Sequence, residues 1–368
     1  MSDGSTGRPV PAPVSPATLP SVAARPTLRD VANAAGVHPA TASRALNEAT
    51  RGLVRPATVD RVRAVASELG YRVNPIARSL KTSRSETIGV LIPDLTNPLF
   101  PPIVRGLEDE LTGHGYTVLM ANTDNDPART SANFAAMQAR QVDGFIVLTA
   151  LLDDPLLADA AARGVPMVLL NRQTEHLEVS VVAGDDASGV ARTVDHLVEL
   201  GHRDIAHVAG PQSVSTGVVR ERAFRAAMRN HGLPDPRVVV ADAYSEPAGR
   251  TALLQLLADD PPTAVVAGND LLAIGCYDAL DETGLSCPDD VSVAGFNDMP
   301  FVSRLRPSLT SVRVPQYELG VEAARLLLDR LRDHTVAPHV VLLPVTLMVR
   351  GSTATPPATR RPARSSAV

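Results

Sequence analysis

TLRDVANAAGVHPATASRALN, at Thr27–Asn47, is the stretch that decides the fold of the amino-terminal part of the chain. Its first apolar residues have the i, i+3, i+4, i+7 spacing of one helical face, and they are Leu28, Val31, Ala32 and Ala35. Gly36 stands where a helix end favours a positive φ, and Pro39 suits the first turn of a second helix, Pro39–Asn47. A third helix, ended by Gly70, is indicated by Val59, Val62, Val65, Ala66 and Leu69. This arrangement predicts a helix-turn-helix DNA-binding domain over residues 27–73.

The distribution of charge supports this interpretation, although the net charge of the whole chain is −5. Residues 1–85 contain 12 Lys and Arg against 5 Asp and Glu, and residues 86–350 contain 20 against 35. The tail, 351–368, adds three Arg. A basic end on an acidic body is the electrostatic pattern expected of a DNA-reading head on a regulatory domain.

The second predicted helix carries the residues that are expected to read DNA. Arg44 and Asn47 lie one turn apart and can reach base edges or phosphates, and Arg to guanine is the most frequent specific contact. Pro39 and Ala40 offer no side-chain hydrogen bonds, so their readout is expected to be apolar. Phosphate contacts are predicted for Thr41 and Ser43.

A second segment, NPIARSLKT at Asn74–Thr82, predicts a short hinge helix with Asn74 as its N-cap and Pro75 in its first turn. Isolated helices need roughly 12–15 residues to be stable, so this one requires support from outside itself.

These two segments resemble the amino-terminal signature and the hinge helix of the lactose-repressor (LacI/GalR) family of bacterial transcription regulators. The similarity continues to about Arg350 through IPDLTNPLF, HLVELGHRDIAHVAGP, AGNDLLAIG, DDVSVAGFND and PSLTSVRVP. The resemblance implies a transcription regulator, most simply a repressor, that binds double-stranded DNA as a homodimer at a near-palindromic operator. It also implies control by a small-molecule effector, either by induction or by corepression.

In the family, a hinge leucine opens the central base step of the minor groove, and the resemblance assigns that role to Leu80. The alternative is that Leu80 packs against its own domain. His38 replaces the Ser or Thr usual at its position, where it is either a poorer helix cap or a phosphate contact. The residues predicted at the DNA interface are Leu28, Arg29, His38, Pro39, Ala40, Thr41, Ser43, Arg44, Asn47, Arg78, Leu80 and Lys81.

From Thr87 onward, apolar strand-like runs alternate with helical stretches, which predicts parallel sheets covered on both faces. The predicted strands are Thr87–Pro93, Tyr116–Asn122, Gly144–Ala150, Pro166–Asn171, Asp204–Gly210, Arg237–Asp242, Ala264–Asn269 and Val291–Phe296.

The expected fold class is therefore an all-α helix-turn-helix head followed by an α/β two-lobed, periplasmic-binding-protein-like ligand domain with two Rossmann-like sheets. The break between lobes falls near Gly184–Ser188, whereas the return of the chain near Val314 is implied by the resemblance alone. The expected segments are a disordered arm (1–26), the head (27–73), the hinge (74–82), an effector and dimerisation domain (83–350) and a disordered tail (351–368). Within that domain, the lobes are 83–185 plus 315–345, and 186–314.

Polar residues follow several of these strands, where open α/β sheets bind ligands. Taken singly, each is more simply a turn former, but together they predict a cleft. The strand-end residues are Asn97, Asn171, Arg172, Tyr244, Asn269 with Asp270, and Asn297 with Asp298. The resemblance adds Phe100 and Arg220, the latter as the anchor of a ligand hydroxyl or carboxylate. Asn171 and Asn297 stand where many members carry Asp, which reduces the usual negative charge of the pocket.

The predicted site suits a sugar ring, because aromatic walls face C–H groups and amides face hydroxyls. A nucleobase is the alternative, since the same walls can stack on it. Arg220, expected to be buried with few carboxylates nearby, also leaves room for an acidic sugar or another small carboxylate. The tail contains no leucine heptad, so a homodimer is expected rather than a tetramer.

Other classes of protein are disfavoured. The chain has no GxSxG, HExxH, CxxC or GxGxxG, its nine histidines lack ligand spacing, and its single lysine, Lys81, is not in a phosphate loop, so no enzyme, metal or cofactor is expected. A secreted sugar-binding protein would share the two-lobed body but would need a signal peptide, and the amino-terminal residues have no apolar core segment. No run of 18 apolar residues is present, and Cys276 and Cys287 need no bridge in a reducing compartment. The expected location is the cytoplasm, in association with the nucleoid.

Overall fold

The computed structural model describes residues 26–47, 50–72, 84–258 and 260–359 of the 368-residue chain. The chain divides into two compact units, 1–81 and 82–368. Among the described residues, no helix is both long and apolar enough to cross a lipid bilayer.

The described residues of the first unit form a three-helix head, as predicted. Its helices are α1 (Leu28–Ala34), α2 (Pro39–Leu46) and α3 (Pro56–Glu68), with a 3₁₀ turn at Arg51–Leu53. A small apolar cluster holds them together, and its buried members are Val31, Ala32, Ala35, Ala42, Ala45, Val59, Val62 and Ala66.

The turn between α1 and α2 is fixed by local hydrogen bonds. Gly36 has φ +63°, a conformation that glycine adopts without steric cost, and the amide of Val37 donates to the carbonyl of Ala32 (3.0 Å). The Nδ1 atom of His38 accepts from the backbone N–H of Ala40 (3.2 Å). His38 therefore caps α2, and the ring must be unprotonated at Nδ1 while it does so.

The second unit contains two six-stranded sheets, one in each lobe. The sheet of lobe 1 has the order β11-β5-β4-β3-β1-β2 and is parallel throughout. Its strands are β1 (Thr87–Ile92), β2 (Thr117–Asn122), β3 (Gly144–Val147), β4 (Met167–Leu170), β5 (Ser180–Gly184) and β11 (Val340–Leu343).

The sheet of lobe 2 has the order β12-β10-β9-β8-β6-β7 and is parallel except for β12, which is antiparallel to β10. Its strands are β6 (Ile205–Ala209), β7 (Val238–Val240), β8 (Ala264–Ala267), β9 (Ser292–Asn297), β10 (Thr310–Arg313) and β12 (Thr346–Met348). The predicted fold class is thus confirmed.

Helices cover both sheets. Those of lobe 1 are α4 (Phe100–Gly113), α5 (Pro127–Ala139), α6 (Pro155–Ala162) and, late in the chain, α11 (Gln316–Arg332). Those of lobe 2 are α7 (Asp186–Glu199), α8 (Ser215–Asn230), α9 (Glu246–Leu257) and α10 (Asp270–Thr283).

The chain passes between the lobes three times: after β5, after β10 and between β11 and β12. The third passage returns the chain to lobe 2. A disordered tail was predicted from Gly351 onward, and this prediction is wrong for its first residues. Ser352 is fully buried, and its hydroxyl accepts from the amide of Thr310 (2.7 Å) and donates to the carbonyl of Val293 (2.6 Å). These bonds tie the residues after β12 to the second sheet.

In each lobe, a pair of glycines allows the backbones of two crossing helices to approach closely. A Cβ added to Gly106 of α4 would lie 2.1 Å from the carbonyl oxygen of Tyr317, and one added to Gly320 of α11 would lie 2.1 Å from that of Ile103. Gly249 and Gly275 have the same relation at the crossing of α9 and α10. The backbones of each pair are therefore in direct contact.

His207 on β6 makes stability depend on pH. Its Nδ1–H donates to the carbonyl of Val266 (2.7 Å), its ring stacks on Phe224, and burial lowers its pKa from 6.5 to about 4. Because the folded pKa lies below the unfolded one, the stability contribution is present above pH 6.5 and is lost as the pH falls through 4. We expect the free energy of unfolding, measured by urea denaturation, to fall by about 3 kcal/mol between pH 6.5 and pH 4 because of His207. His207→Asn, which keeps a donor, should remove that loss, whereas His334→Asn, at an exposed position, should not. Equal pH profiles for wild type and His207→Asn would contradict the assignment.

Candidate functional site

A cavity of about 420 Å³ is formed by residues of both lobes, and we call it the interlobe cavity. All eight residues predicted at the effector site line it: Asn97, Phe100, Asn171, Arg172, Arg220, Tyr244, Asn269 and Asn297. Six of them follow strands and come together because the carboxyl ends of parallel strands lie at one edge of each sheet, whereas Phe100 and Arg220 belong to the helices α4 and α8.

Two aromatic rings are part of the wall. Phe100 is the first residue of α4 and is buried. The ring of Tyr244 lies against Gly210, where an added Cβ would be 2.3 Å from the phenolic oxygen. That phenol donates to the hydroxyl of Thr216 (3.0 Å), and burial raises the pKa of Tyr244, so it stays neutral at physiological pH.

Two buried polar atoms of the cavity have no hydrogen-bond partner among the described residues. They are Oδ1 of Asn297, which is 2% exposed, and the hydroxyl of Thr149, which is 6% exposed. Asn297 ends β9 with φ +110°, a conformation that is rare for a residue with a side chain. Because a buried polar atom without a partner costs free energy, both atoms are candidates to bind a ligand.

The oxygens of two other amides are already used by the protein. Oδ1 of Asn97 accepts from the amide of Leu99 (3.0 Å), and Oδ1 of Asn269 caps α10 by accepting from the amide of Leu272 (2.9 Å). These two residues therefore offer a ligand their Nδ2 donors.

The expectation that Arg220 has few carboxylates nearby is wrong, because it forms a buried ion pair. Its Nε donates to Asp186 (2.8 Å), one Nη donates to the carbonyl of Gly268 (2.7 Å), and its guanidinium carbon lies 3.8 Å from the centroid of Phe296. The side chains of the ion pair are 4% and 11% exposed. Its charge is therefore compensated within the protein, which leaves it hydrogen-bond donors but no free charge.

Arg172 has the opposite surroundings. It is 7% exposed, one Nη donates to Oδ1 of Asn125 (3.0 Å), and no carboxylate among the described residues lies within ion-pair distance. Burial lowers the pKa of Arg172 to about 10, so it is charged at physiological pH.

Three residues that line or support the cavity were not predicted from the sequence: Asn125, Thr149 and Asp186. Thr149 follows β3, so the rule that selected the other strand-end residues applies to it as well. Asn125 lies in the turn before α5, and Asp186 is the first residue of α7, and neither position carried a signal of its own.

The head presents part of the predicted DNA interface. Ala40 and Arg44 are exposed four residues apart on α2, as is Arg29 on α1, whereas Leu28 is partly buried against the apolar cluster. The other members at described positions are exposed His38 and half-buried Pro39, Thr41, Ser43 and Asn47. The predicted hinge residues Arg78, Leu80 and Lys81 lie outside the described residues.

Comparison with known proteins gives a consistent result. The family model described as "Bacterial regulatory proteins, lacI family" matches residues 27–74, and that of the "Periplasmic binding protein-like domain" matches residues 194–353. The HTH-type transcriptional repressor CytR of Escherichia coli (strain K12) is 33% identical over 329 residues, which cover 89% of this chain and 96% of the relative.

Two solved structures are similar over 89% of the chain. The lac repressor dimer bound to operator and the anti-inducer ONPF is 28% identical, with a TM-score of 0.80 and 99% of that chain covered. The complex of the transcriptional regulator CelR with cellobiose is 32% identical, with a TM-score of 0.67 and 100% of that chain covered.

Proposed function

The chain belongs to the LacI family of bacterial regulatory proteins, and from this premise we propose that it is a repressor whose affinity for its operator is controlled by a sugar or sugar derivative bound in the interlobe cavity. The observation that carries the effector part is that the cavity lined by the rings of Phe100 and Tyr244 also contains two buried polar atoms, of Asn297 and Thr149, that have no partner among the described residues. A sugar matches such a surface, because its faces are C–H groups and its edges are hydroxyls. The cellobiose complex of CelR supports the same class of ligand.

On the DNA side, we propose that the protein acts as a homodimer on a near-palindromic operator and works on the nucleoid in the cytoplasm. The similar lac repressor is a dimer in its operator complex. Two heads related by a twofold axis match two half-sites of a palindrome, which supports the same arrangement here.

The proposal is tested by selecting operators from random duplex DNA with the purified protein and then measuring affinity for the selected duplex with and without sugars. A ligand at 100 times its dissociation constant should stabilise the fold by about 2.7 kcal/mol and should change operator affinity. If the selected duplexes share no twofold-symmetric sequence, the proposal of a near-palindromic operator is overturned. If only purines stabilise the protein, the proposal of a sugar effector is overturned.

Arg44→Ala is the sharpest test of the DNA-reading surface. Because Arg44 is exposed on α2, we expect it to contact one base of each half-site, and its loss should cost about 1–3 kcal/mol and relax base preference there. Fluorescence anisotropy with operators that differ at single positions measures both effects. Arg63→Ala removes the same charge from an exposed position of α3 and should leave base preference intact. An unchanged base preference at every position in Arg44→Ala would refute this role.

A further inference from the structure

The two buried arginines of the interlobe cavity have different electrostatic surroundings. Arg220 forms an ion pair with Asp186, so the charges of these two side chains cancel. Among the residues that the structure describes, Arg172 has only a neutral partner, the amide oxygen of Asn125. Of the two, Arg172 is therefore the one whose positive charge is not balanced by a nearby carboxylate of the described chain.

The carboxylates that line the same cavity do not compensate Arg172. Asp94 accepts from the amide and hydroxyl of Thr96, at 2.8 and 2.6 Å, and is half-buried. Asp154 caps α6, and Asp242 is exposed. None of the three is within 4.0 Å of the Arg172 guanidinium.

Two further residues of the cavity add no negative charge. Asn171, adjacent to Arg172 in the chain, and Asn297, on the other lobe, both contribute a neutral amide rather than a carboxylate. A buried guanidinium is costly unless a counter-charge reaches it, and the cavity is where such a charge can enter. The guanidinium of Arg172 has a planar fork of N–H donors, which can form two parallel hydrogen bonds to a carboxylate or phosphate.

We propose that the effector carries an acidic group, a carboxylate or a phosphate, and that Arg172 is the residue that binds this group. The inference rests on the proposed function, because it assigns a chemical class to the ligand of the same cavity. Two other polar atoms of the cavity are then available for the hydroxyls of the ligand. Oδ1 of Asn297 and the hydroxyl of Thr149 accept from ligand hydroxyls, which describes a small sugar acid or sugar phosphate in a cavity of about 420 Å³.

The test uses matched pairs of probes in which only the acidic group differs. The pairs are glucose with glucuronate, galactose with galacturonate, glucose with glucose 6-phosphate, and ribose with ribose 5-phosphate. Thermal shift and calorimetry on the full chain should show binding of at least one acidic member and at least about 100-fold weaker binding of its neutral partner. Carboxylate and phosphate pairs distinguish the two sources of the charge.

Variants of Arg172 connect the preference to this side chain. Arg172→Met should abolish the advantage of the acidic probe while leaving the thermal midpoint without ligand equal to or above that of wild type, because a buried charge is removed. Arg172→Lys should recover part of the affinity, since it keeps the charge but not the fork. Arg140→Met, at an exposed position of the same lobe, is the control and should bind like wild type.

The outcomes separate this inference from the proposed function. Equal binding of neutral and acidic partners, unchanged affinity in Arg172→Met, or no binding of any acidic probe would overturn the inference. If a neutral sugar binds and alters operator affinity, the proposed function stands without it. If an acidic probe binds through Arg172 but leaves operator affinity unchanged, the assignment of Arg172 to the acidic group of a cavity ligand stands, and the proposal that this ligand regulates DNA binding fails.

Discussion

Asp186→Ala is expected to lower the free energy of unfolding by about 3–5 kcal/mol, because it leaves the Arg220 guanidinium buried without its counter-charge. The two side chains are 11% and 4% exposed, and Nε of Arg220 donates to Asp186 at 2.8 Å, so the pair is largely removed from bulk water. Chemical denaturation monitored by circular dichroism measures the effect.

A matched control is present on the same helix. Asp195 of α7 also accepts from a basic side chain, that of His231 (2.6 Å), but it is 53% exposed, so Asp195→Ala should cost at most about 1 kcal/mol. Replacing both partners, in Asp186→Leu with Arg220→Met, should recover most of the stability lost in Asp186→Ala. A cost for Asp186→Ala as small as that of Asp195→Ala would show that the Arg220 charge is balanced elsewhere.

Gly320→Ala is expected to destabilise the protein by about 3 kcal/mol or more, although alanine is the better helix former by about 1 kcal/mol. The new methyl group would lie 2.1 Å from the carbonyl oxygen of Ile103 and 2.8 Å from the amide nitrogen of Leu107, so α4 and α11 would have to separate. Backbone atoms cannot move aside as a flexible side chain can. Thermal or urea unfolding measures the loss.

The control for this substitution is Gly113→Ala at the end of α4, where an added Cβ meets no atom within 4 Å. That variant should be as stable as wild type or slightly more stable. If Gly320→Ala also proved neutral, the close crossing of α4 and α11 would be contradicted.

Much of the fold follows from periodicity in the sequence. The three helices of the head and eight of the strands fall where the apolar patterns predict them, with ends displaced by a few residues. Four strands, β5, β10, β11 and β12, were not predicted; they have three to five residues each. Their place in the two sheets is set by where the chain passes between the lobes, which is a property of tertiary packing.

The position of the candidate site was easier to predict than its charge. Strand-end position brings polar residues to one edge of a sheet, so six of the eight named side chains could be expected to lie together, whereas Phe100 and Arg220 were implied by the family resemblance alone. Which arginine is compensated depends on Asp186, which is 34 residues from Arg220 along the chain and follows no spacing rule. The sequence therefore indicated a polar cavity, but not the residue that carries its unbalanced charge.

The three passages between the lobes have a consequence for synthesis on the ribosome. Neither lobe is a continuous segment, since lobe 1 lacks an edge strand until Leu343 has been made and lobe 2 lacks one until Met348. The helices of the head, by contrast, end at Glu68. At about 5–20 residues per second, the nascent chain carries a completed head for roughly 14–55 s before either sheet has its last strand. The order of the strands thus makes the DNA-reading part fold early and both halves of the ligand-binding part fold late and almost together.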